Sequence, residues 1–144
     1  MPAANPRRVV EQFCTKFPDQ LVSLTRIIGD EKASQFQLKR NLKKLHEESH
    51  RLKGAAYCMG FPSIGAAFFK LEQNTQRLLE SKKDVTSQLM ERIYLDLSKV
   101  AKLRRTVAPE QSKLLQSFEN PAQQTLGDAD AAALRQLLNS QRVL

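Results

Sequence analysis

Apolar residues recur along this chain at the spacing of helix faces. The most regular run lies in the middle, where steps of four and three residues connect Leu38, Leu42, Leu45, Ser49, Leu52, Ala56 and Met59. Residues at such steps lie on one side of a helix and form a stripe that can be buried. We therefore predict a central helix from about Glu31 to Met59, with Asp30 as its cap and Gly60 at its end.

The same spacing predicts an N-terminal helix before the central one. Asn5 and Pro6 fit a helix start, and the stretch would run to about Lys16 before Pro18 interrupts or restarts it. Apolar residues continue at helical spacing to a glycine that ends the segment; they are Leu21, Leu24, Ile27 and Ile28, before Gly29.

Two later helices complete the pattern, one from Pro62 and one from about Thr86. Their apolar sides are Ile64, Phe68, Leu71, Leu78 and Leu79, then Leu89, Ile93, Leu97, Val100, Leu103 and Val107. No alternating run is convincing as a strand. We therefore predict an all-α fold, an antiparallel four-helix bundle with additional N-terminal and C-terminal helical segments.

The segment that begins at Pro109 differs from the rest of the chain. It has a short apolar patch, a break at Asn120 and Pro121, and a second stretch that Asp128 could cap as a helix. The apolar residues are Leu114, Leu115 and Phe118, then Leu134, Leu137 and Leu138. We predict that residues 1–108 form the bundle and that residues 109–144 form a helical extension that packs against it.

Composition fits a single helical domain. The 144 residues suffice for one core, and only five Gly and six Pro interrupt the chain. No run of about 18 apolar residues and no apolar signal core are present, so we expect a cytoplasmic protein. Cys14 and Cys58 lack the spacing of metal ligands and fit reduced thiols in that compartment.

The net charge of +8 is concentrated in the predicted bundle. Residues 1–107 carry 20 Lys and Arg against 11 Asp and Glu, whereas the later residues carry 3 against 4. A basic surface favours anionic partners, and both a nucleic acid and an acidic protein rim meet that description. Charge alone does not separate these two kinds of partner.

Chemistry concentrates near the end of the central helix, in the segment His50-Arg51-Leu52-Lys53-Gly54-Ala55-Ala56-Tyr57-Cys58-Met59-Gly60. His50 lies about 100° off the apolar stripe, so we expect it at the edge of the core, held by packing and partly exposed. Lys53 and Gly54 share its face. Glycine costs about 1 kcal/mol relative to alanine inside a helix, and close approach of a partner to the imidazole would explain Gly54.

This segment resembles the signature of histidine-phosphotransfer (HPt) domains, the relay modules of two-component signalling. That signature is a histidine, two free positions, lysine or arginine, glycine, small residues and a second glycine that ends the helix. The matching residues are His50, Lys53, Gly54, Ala55, Ala56 and Gly60. The resemblance extends less sharply from about Phe17 to about Val107 and leaves out the C-terminal segment.

The resemblance implies a phosphorelay intermediate. His50 would accept a phosphoryl group from a phospho-aspartate of a receiver domain and pass it to another receiver, because neutral imidazole is a nucleophile that can carry the group. Lys53 would place positive charge beside the phosphoryl oxygens. In several family members an acidic or amide residue 22 positions after the histidine orients its ring, and that position here is Glu72, with Lys70 a weaker candidate. His46 is not the predicted acceptor, since it lacks lysine and glycine at the matching positions.

The resemblance also implies the partners. Receiver docking would involve side chains and small residues around His50, namely Lys43, His46, Glu47, Gly54, Ala55 and Tyr57. The sequence has no Walker loop or other ATP motif, so we expect a phosphoryl carrier and not an enzyme. No cofactor or metal is expected, because the receiver binds Mg²⁺. The expected partners are response-regulator receiver domains and a hybrid sensor kinase; we expect a monomer that binds neither nucleic acid nor membrane.

A zinc metalloprotease is one alternative. The stretch His46-Glu47-Glu48-Ser49-His50 matches H-E-x-x-H, and Glu72 would be a third ligand. The chain has only two histidines and no predicted strands for the usual cleft, and Lys53 and Gly54 have no role in such a site. One zinc per chain in the purified protein would support this alternative.

Two further alternatives concern binding without transfer. A basic helical nucleic-acid binder would agree with the charge, but the basic residues are spread over all four helices and no recognised motif is present. Salt-dependent binding of DNA or RNA would support it. A phosphotransfer fold kept only for docking is the other alternative, and the intact His50, Lys53 and Gly54 argue against it.

Overall fold

The computed structural model describes residues 5–29 and 33–119. Within these ranges it has five α-helices and no strand: α1 Pro6–Ile28, α2 Gln35–Cys58, α3 Pro62–Glu80, α4 Ser87–Leu103 and α5 Lys113–Glu119. Two short 3₁₀ turns, Arg104–Thr106 and Pro109–Gln111, connect α4 to α5. The all-α helical bundle is therefore confirmed. The predicted cap Asp30 and the predicted helix after Asp128 lie outside the described residues.

The core lies between the four long helices. Its largest fully buried side chains include Phe17, Phe68, Leu24, Leu42, Leu45, Leu52, Ile64, Leu71 and Ile93. Phe17 of α1 meets Phe68 of α3 edge to face, with ring centroids 6.2 Å apart, which is a favoured arrangement of aromatic rings. Within the described ranges, no helix combines the length and the apolar character that crossing a bilayer requires.

Helix α1 is continuous, so the predicted break at Pro18 is wrong. A proline inside a helix loses a backbone hydrogen bond and costs about 3 kcal/mol. However, Val10 and Phe17 before Pro18 and Leu24 after it are all buried. These three residues lie on one face of α1, before and after Pro18. Their burial offsets the lost hydrogen bond and keeps the helix intact.

Helix α2 begins at Gln35, four residues after the predicted start at Glu31. The Ser34 hydroxyl caps it and accepts a hydrogen bond from a backbone N–H of the first turn, at 3.2 Å. The Gln35 side chain also forms two hydrogen bonds, of 2.8 and 2.9 Å, with the backbone of Val85 in the α3–α4 connection. These contacts fix the helix start later than the apolar pattern indicated.

Helices α2 and α3 form the most extensive helix pair, and they run antiparallel. Contacts join Tyr57 to Gly65 near the connection and His50 to Glu72 two turns further along. Gly65 is buried, and a Cβ atom there would lie 2.7 Å from the Tyr57 ring. Glycine at this position therefore lets the two helices approach closely, which holds the His50 and Glu72 side chains within reach of each other.

The segment after α4 packs against the connection between α2 and α3. The hydroxyl of Ser112, which is fully buried, donates to the Met59 carbonyl oxygen at 2.6 Å. The Lys113 backbone N–H donates to the Gly60 carbonyl oxygen at 2.8 Å. These hydrogen bonds tie the start of the predicted C-terminal extension to the bundle. The division of the chain at residue 108 stays a prediction.

Gly60 has a positive φ of 86°, and a Cβ atom there would lie 2.8 Å from the backbone nitrogen of Lys113 and still closer to that of Leu114. We expect Gly60→Ala to lower the free energy of unfolding by about 2 kcal/mol or more, because it strains the backbone and displaces the C-terminal segment. Urea denaturation measures the loss. Gly29→Ala is the matched control, since Gly29 also has positive φ, but within the described part of the chain a Cβ there meets a side chain, that of Asn41 at 3.2 Å, and no backbone of another segment. Equal losses for the two variants would contradict the role of close packing.

Candidate functional site

His50 projects from α2 at the edge of the core. The neighbouring stripe residues Ser49 and Leu52 are fully buried or nearly so, whereas the His50 side chain is 66% exposed. The Ser49 hydroxyl donates to the Leu45 carbonyl at 2.7 Å, so it is satisfied inside the helix. His50 therefore lies where the sequence predicts it, one residue off the buried stripe.

Glu72 of α3 joins His50 to Lys53. Its Oε1 lies 2.8 Å from the His50 Nδ1, and its Oε2 lies 2.8 Å from the Lys53 Nζ. The Glu72 side chain is only 15% exposed, so the carboxylate holds both partners in a partly water-excluded place. The structure thus brings together the three residues that the sequence singled out.

The contact with Glu72 determines which nitrogen of His50 is free. A carboxylate only accepts hydrogen bonds, so the His50 Nδ1 carries the proton. In the neutral ring the lone pair then lies on Nε2, the nitrogen that Glu72 does not contact. The arrangement presents a nucleophilic nitrogen while the carboxylate fixes the ring.

Phe69 is an additional residue of the site. The Lys53 ammonium lies 5.3 Å from the centre of the Phe69 ring, within the range of a cation–π contact. The Phe69 side chain is nonetheless 44% exposed. Lys53 is therefore held between an aromatic ring and the Glu72 carboxylate.

The pKa of Glu72 reflects two opposing effects. Burial alone would raise it, but hydrogen bonds from Lys53 and His50 and the positive charge of both groups outweigh burial. The net result is a pKa below the usual value for a glutamate. Glu72 therefore stays a carboxylate at neutral pH, as the orientation of His50 requires.

We expect the lowered pKa of Glu72 to make stability depend on pH. Since the native state binds this proton more weakly than the unfolded chain, the ionised carboxylate stabilises the fold above about pH 5, and this contribution is lost as the pH falls through the lowered pKa. Glu72→Gln should cost on the order of 1 kcal/mol at pH 7 and progressively less in acid. Urea denaturation between pH 3 and 7 measures this, with Glu80→Gln on the same helix as the control. A deficit that grows towards acid would contradict the assignment.

The predicted docking residues differ in exposure. Lys43 and Glu47 are exposed, whereas the other four are half-buried: His46, Gly54, Ala55 and Tyr57. The Tyr57 ring packs over Gly65 of α3. Among the residues that the structure describes, a Cβ atom at Gly54 would meet no atom within 4 Å, apart from its chain neighbours and its own helix backbone. Internal packing therefore does not explain the glycine at this position.

The zinc alternative is not supported. Glu72, its expected third ligand, has one oxygen on His50 and the other on Lys53. His46 directs its Nδ1 at the backbone of α3. Among residues 5–29 and 33–119, no three His, Cys, Asp or Glu side chains are grouped so that they could hold a metal ion. The two histidines of the H-E-x-x-H match, His46 and His50, both contact Glu72 of α3.

The cysteines are poor candidates for the reactive group. Burial and the nearby charge of Glu110 raise the pKa of Cys14 to about 11. Burial also raises the pKa of Cys58. Because the thiolate is the reactive form of cysteine, both side chains are weak nucleophiles at neutral pH.

Two contacts of this site were not predicted from the sequence. One is Phe69 on Lys53, and the other is the hydrogen bond from the His46 Nδ1 to the Glu72 carbonyl oxygen, at 3.1 Å. A signal for Phe69 was present, because it precedes Glu72 by three residues and so shares its face of α3. No comparable signal existed for His46, whose partner is a backbone atom 26 residues away.

These features define a helical-bundle protein that presents an oriented histidine on its surface. The family model described as Hpt domain matches residues 8–142, nearly the whole chain. The chain therefore belongs to the Hpt domain family, and the family that the sequence resembles is confirmed. The match continues past residue 108, through most of the segment that the resemblance left out.

Membership in this family carries general consequences. Hpt domains are phosphocarriers rather than enzymes, and they act in histidine phosphotransfer with the receiver and kinase domains of two-component systems. The family match supports neither the zinc nor the nucleic-acid alternative. Comparisons with curated proteins and with solved structures each found no match.

Proposed function

We propose that the protein accepts a phosphoryl group on the Nε2 of His50 from a receiver-domain phospho-aspartate and passes it to the aspartate of another receiver. The observation that carries this proposal is the 2.8 Å contact between the His50 Nδ1 and Glu72. It leaves Nε2, the nitrogen that the carboxylate does not contact, as the one with the lone pair in a neutral ring whose side chain is 66% exposed. An acceptor must be both fixed and reachable, and His50 meets both conditions.

In the transfer, the Nε2 lone pair attacks phosphorus and a nitrogen–phosphorus bond forms. The bond between phosphorus and the aspartyl oxygen breaks, and the donor carboxylate leaves with the electron pair. The ring gains positive charge, which the Glu72 carboxylate stabilises through the Nδ1 proton. No proton has to move, so the reverse steps can deliver the group to a second receiver.

Lys53 supplies positive charge for the phosphoryl oxygens. In the free protein its ammonium is paired with the Glu72 Oε2 at 2.8 Å. A phosphoryl group on His50 adds negative charge to the same neighbourhood, and the flexible lysine chain can turn its ammonium towards that group. We propose that the docked receiver contacts four residues of α2, namely Gly54, Ala55 and the exposed Lys43 and Glu47.

The test is phosphoryl transfer from a panel of ³²P-phosphorylated receiver domains. We expect at least one receiver to transfer label to this protein within minutes, and the label to be stable in alkali and lost in acid, as for a phosphohistidine. Mass spectrometry should place the group on His50. Transfer from none of the receivers, or label on another residue, would contradict the proposal.

A further inference from the structure

His46 contacts the same α3 residue that His50 contacts. It precedes His50 by one helical turn and is half-buried. Its Nδ1 lies 3.1 Å from the Glu72 carbonyl oxygen and 3.3 Å from the Thr75 Oγ1. Because a carbonyl oxygen only accepts, the His46 Nδ1 carries a proton and donates it.

Thr75 strengthens this arrangement. It is fully buried, and its hydroxyl lies 2.9 Å from the Leu71 carbonyl oxygen and 2.8 Å from that of Glu72. The hydroxyl proton is used within α3, so the Thr75 oxygen is available as a second acceptor for His46. The His46 ring therefore faces two acceptors on one turn of α3.

Glu72 is consequently held at both ends. Its backbone carbonyl is held by His46, and its carboxylate meets His50 and Lys53. All three partners lie on α2, so they fix this turn of α3 where the carboxylate reaches the His50 ring. A displacement of about 1 Å would break a 2.8 Å hydrogen bond and release the ring of His50.

We propose that His46 is a positioning residue for the phosphoryl acceptor. Its N–H holds the backbone of Glu72, the Glu72 carboxylate then holds the Nδ1 proton of His50, and Nε2 stays free for the phosphoryl group. This inference rests on the proposed function of His50. It differs from the docking role expected for His46, because the group that acts is the nitrogen directed at α3.

Two substitutions at His46 separate the donor from the bulk of the ring. His46→Leu fills similar space without a donor, whereas His46→Asn offers an amide N–H near the position of Nδ1. We expect His46→Leu to slow phosphoryl acceptance by His50 about tenfold, as loss of such supporting contacts does elsewhere. His46→Asn should stay within about threefold of the wild type. The donor in both assays is the same phosphorylated receiver domain.

A second readout follows the tautomer without any phosphoryl donor. Nitrogen-15 NMR of the rings should show His50 protonated on Nδ1 in the wild type and in His46→Asn, and a mixture of tautomers in His46→Leu. In a Glu72→Ala background, His46→Leu should cause no further loss of rate. Circular dichroism confirms that each variant is folded before it is compared.

The outcomes distinguish this inference from the proposed function. If the wild type accepts no phosphoryl group, the proposed function fails, while the NMR comparison still decides whether His46 controls the tautomer. Unchanged rate and tautomer in His46→Leu would overturn the inference. Equal losses in His46→Leu and His46→Asn, or a full tenfold loss that persists in the Glu72→Ala background, would also overturn it.

Discussion

His50→Gln is expected to abolish phosphoryl acceptance while the bundle stays folded. Glutamine has a similar length but no nucleophilic lone pair on nitrogen, so the rate should fall by at least about a thousandfold. The side chain is 66% exposed and its ion-pair partner keeps Lys53, so the free energy of unfolding should change by less than about 1 kcal/mol. Transfer from a ³²P-labelled receiver and urea denaturation measure the two quantities.

Lys99→Gln is the control for this prediction. It changes an exposed side chain of α4 that has no assigned role, and it should leave both phosphoryl acceptance and unfolding nearly unchanged. Acid-labile label on His50→Gln at a rate near that of the wild type would show that another residue accepts the group. A collapse of the fold in His50→Gln would show that the ring has a structural role instead.

The apolar stripe of α2 predicted both the helix and the place of His50. The stripe residues Leu42, Leu45, Leu52 and Ala56 are all buried as predicted, because residues at this spacing lie on one face of the helix and that face packs against the core. The same geometry then determines the exposure of the residue one position away. The exposure of His50 was therefore predictable from local pattern alone.

The continuity of α1 and the start of α2 depend on long-range packing, which the local pattern of the sequence does not contain. Pro18 lies inside α1 because burial of Phe17 and Leu24 outweighs the local penalty of proline. The start of α2 is fixed by contacts of Gln35 with Val85, 50 residues away. Sequence spacing records local preference, whereas these two features depend on where distant segments pack.

The candidate site also has some contacts that the sequence predicted and others that it did not. The pairing of Glu72 with His50 was predicted from family resemblance, whereas its second pairing, with Lys53, depends on how α3 packs against α2. Nothing in the sequence spacing indicates that one carboxylate binds two partners, or that the Phe69 ring lies against the Lys53 ammonium. Such contacts depend on the distance between α2 and α3, and glycine at position 65 allows the close approach beside the Tyr57 ring.

Gly54→Lys is expected to block phosphoryl exchange with receivers while the fold becomes no less stable. A Cβ atom at Gly54 would have no neighbour within 4 Å in the described ranges outside its own helix, so replacement of glycine inside α2 should stabilise the helix by up to about 1 kcal/mol. A long side chain one turn from His50 would nevertheless lie where the receiver must approach. Since displacements of about 1 Å cost on the order of a hundredfold in rate, transfer from a receiver should fall at least that far.

Three comparisons test whether this loss arises from blocked docking. Gly54→Ala should unfold at a higher denaturant concentration than the wild type and still exchange phosphoryl groups at a similar rate. Ser98→Lys, at an exposed position of α4, adds the same charge on another helix and should leave transfer unchanged. Phosphoramidate, a small donor that does not need a docked protein, should still phosphorylate His50 in Gly54→Lys. If this small donor also fails, the lysine disturbs the histidine itself, and the open space beside Gly54 is not a docking surface.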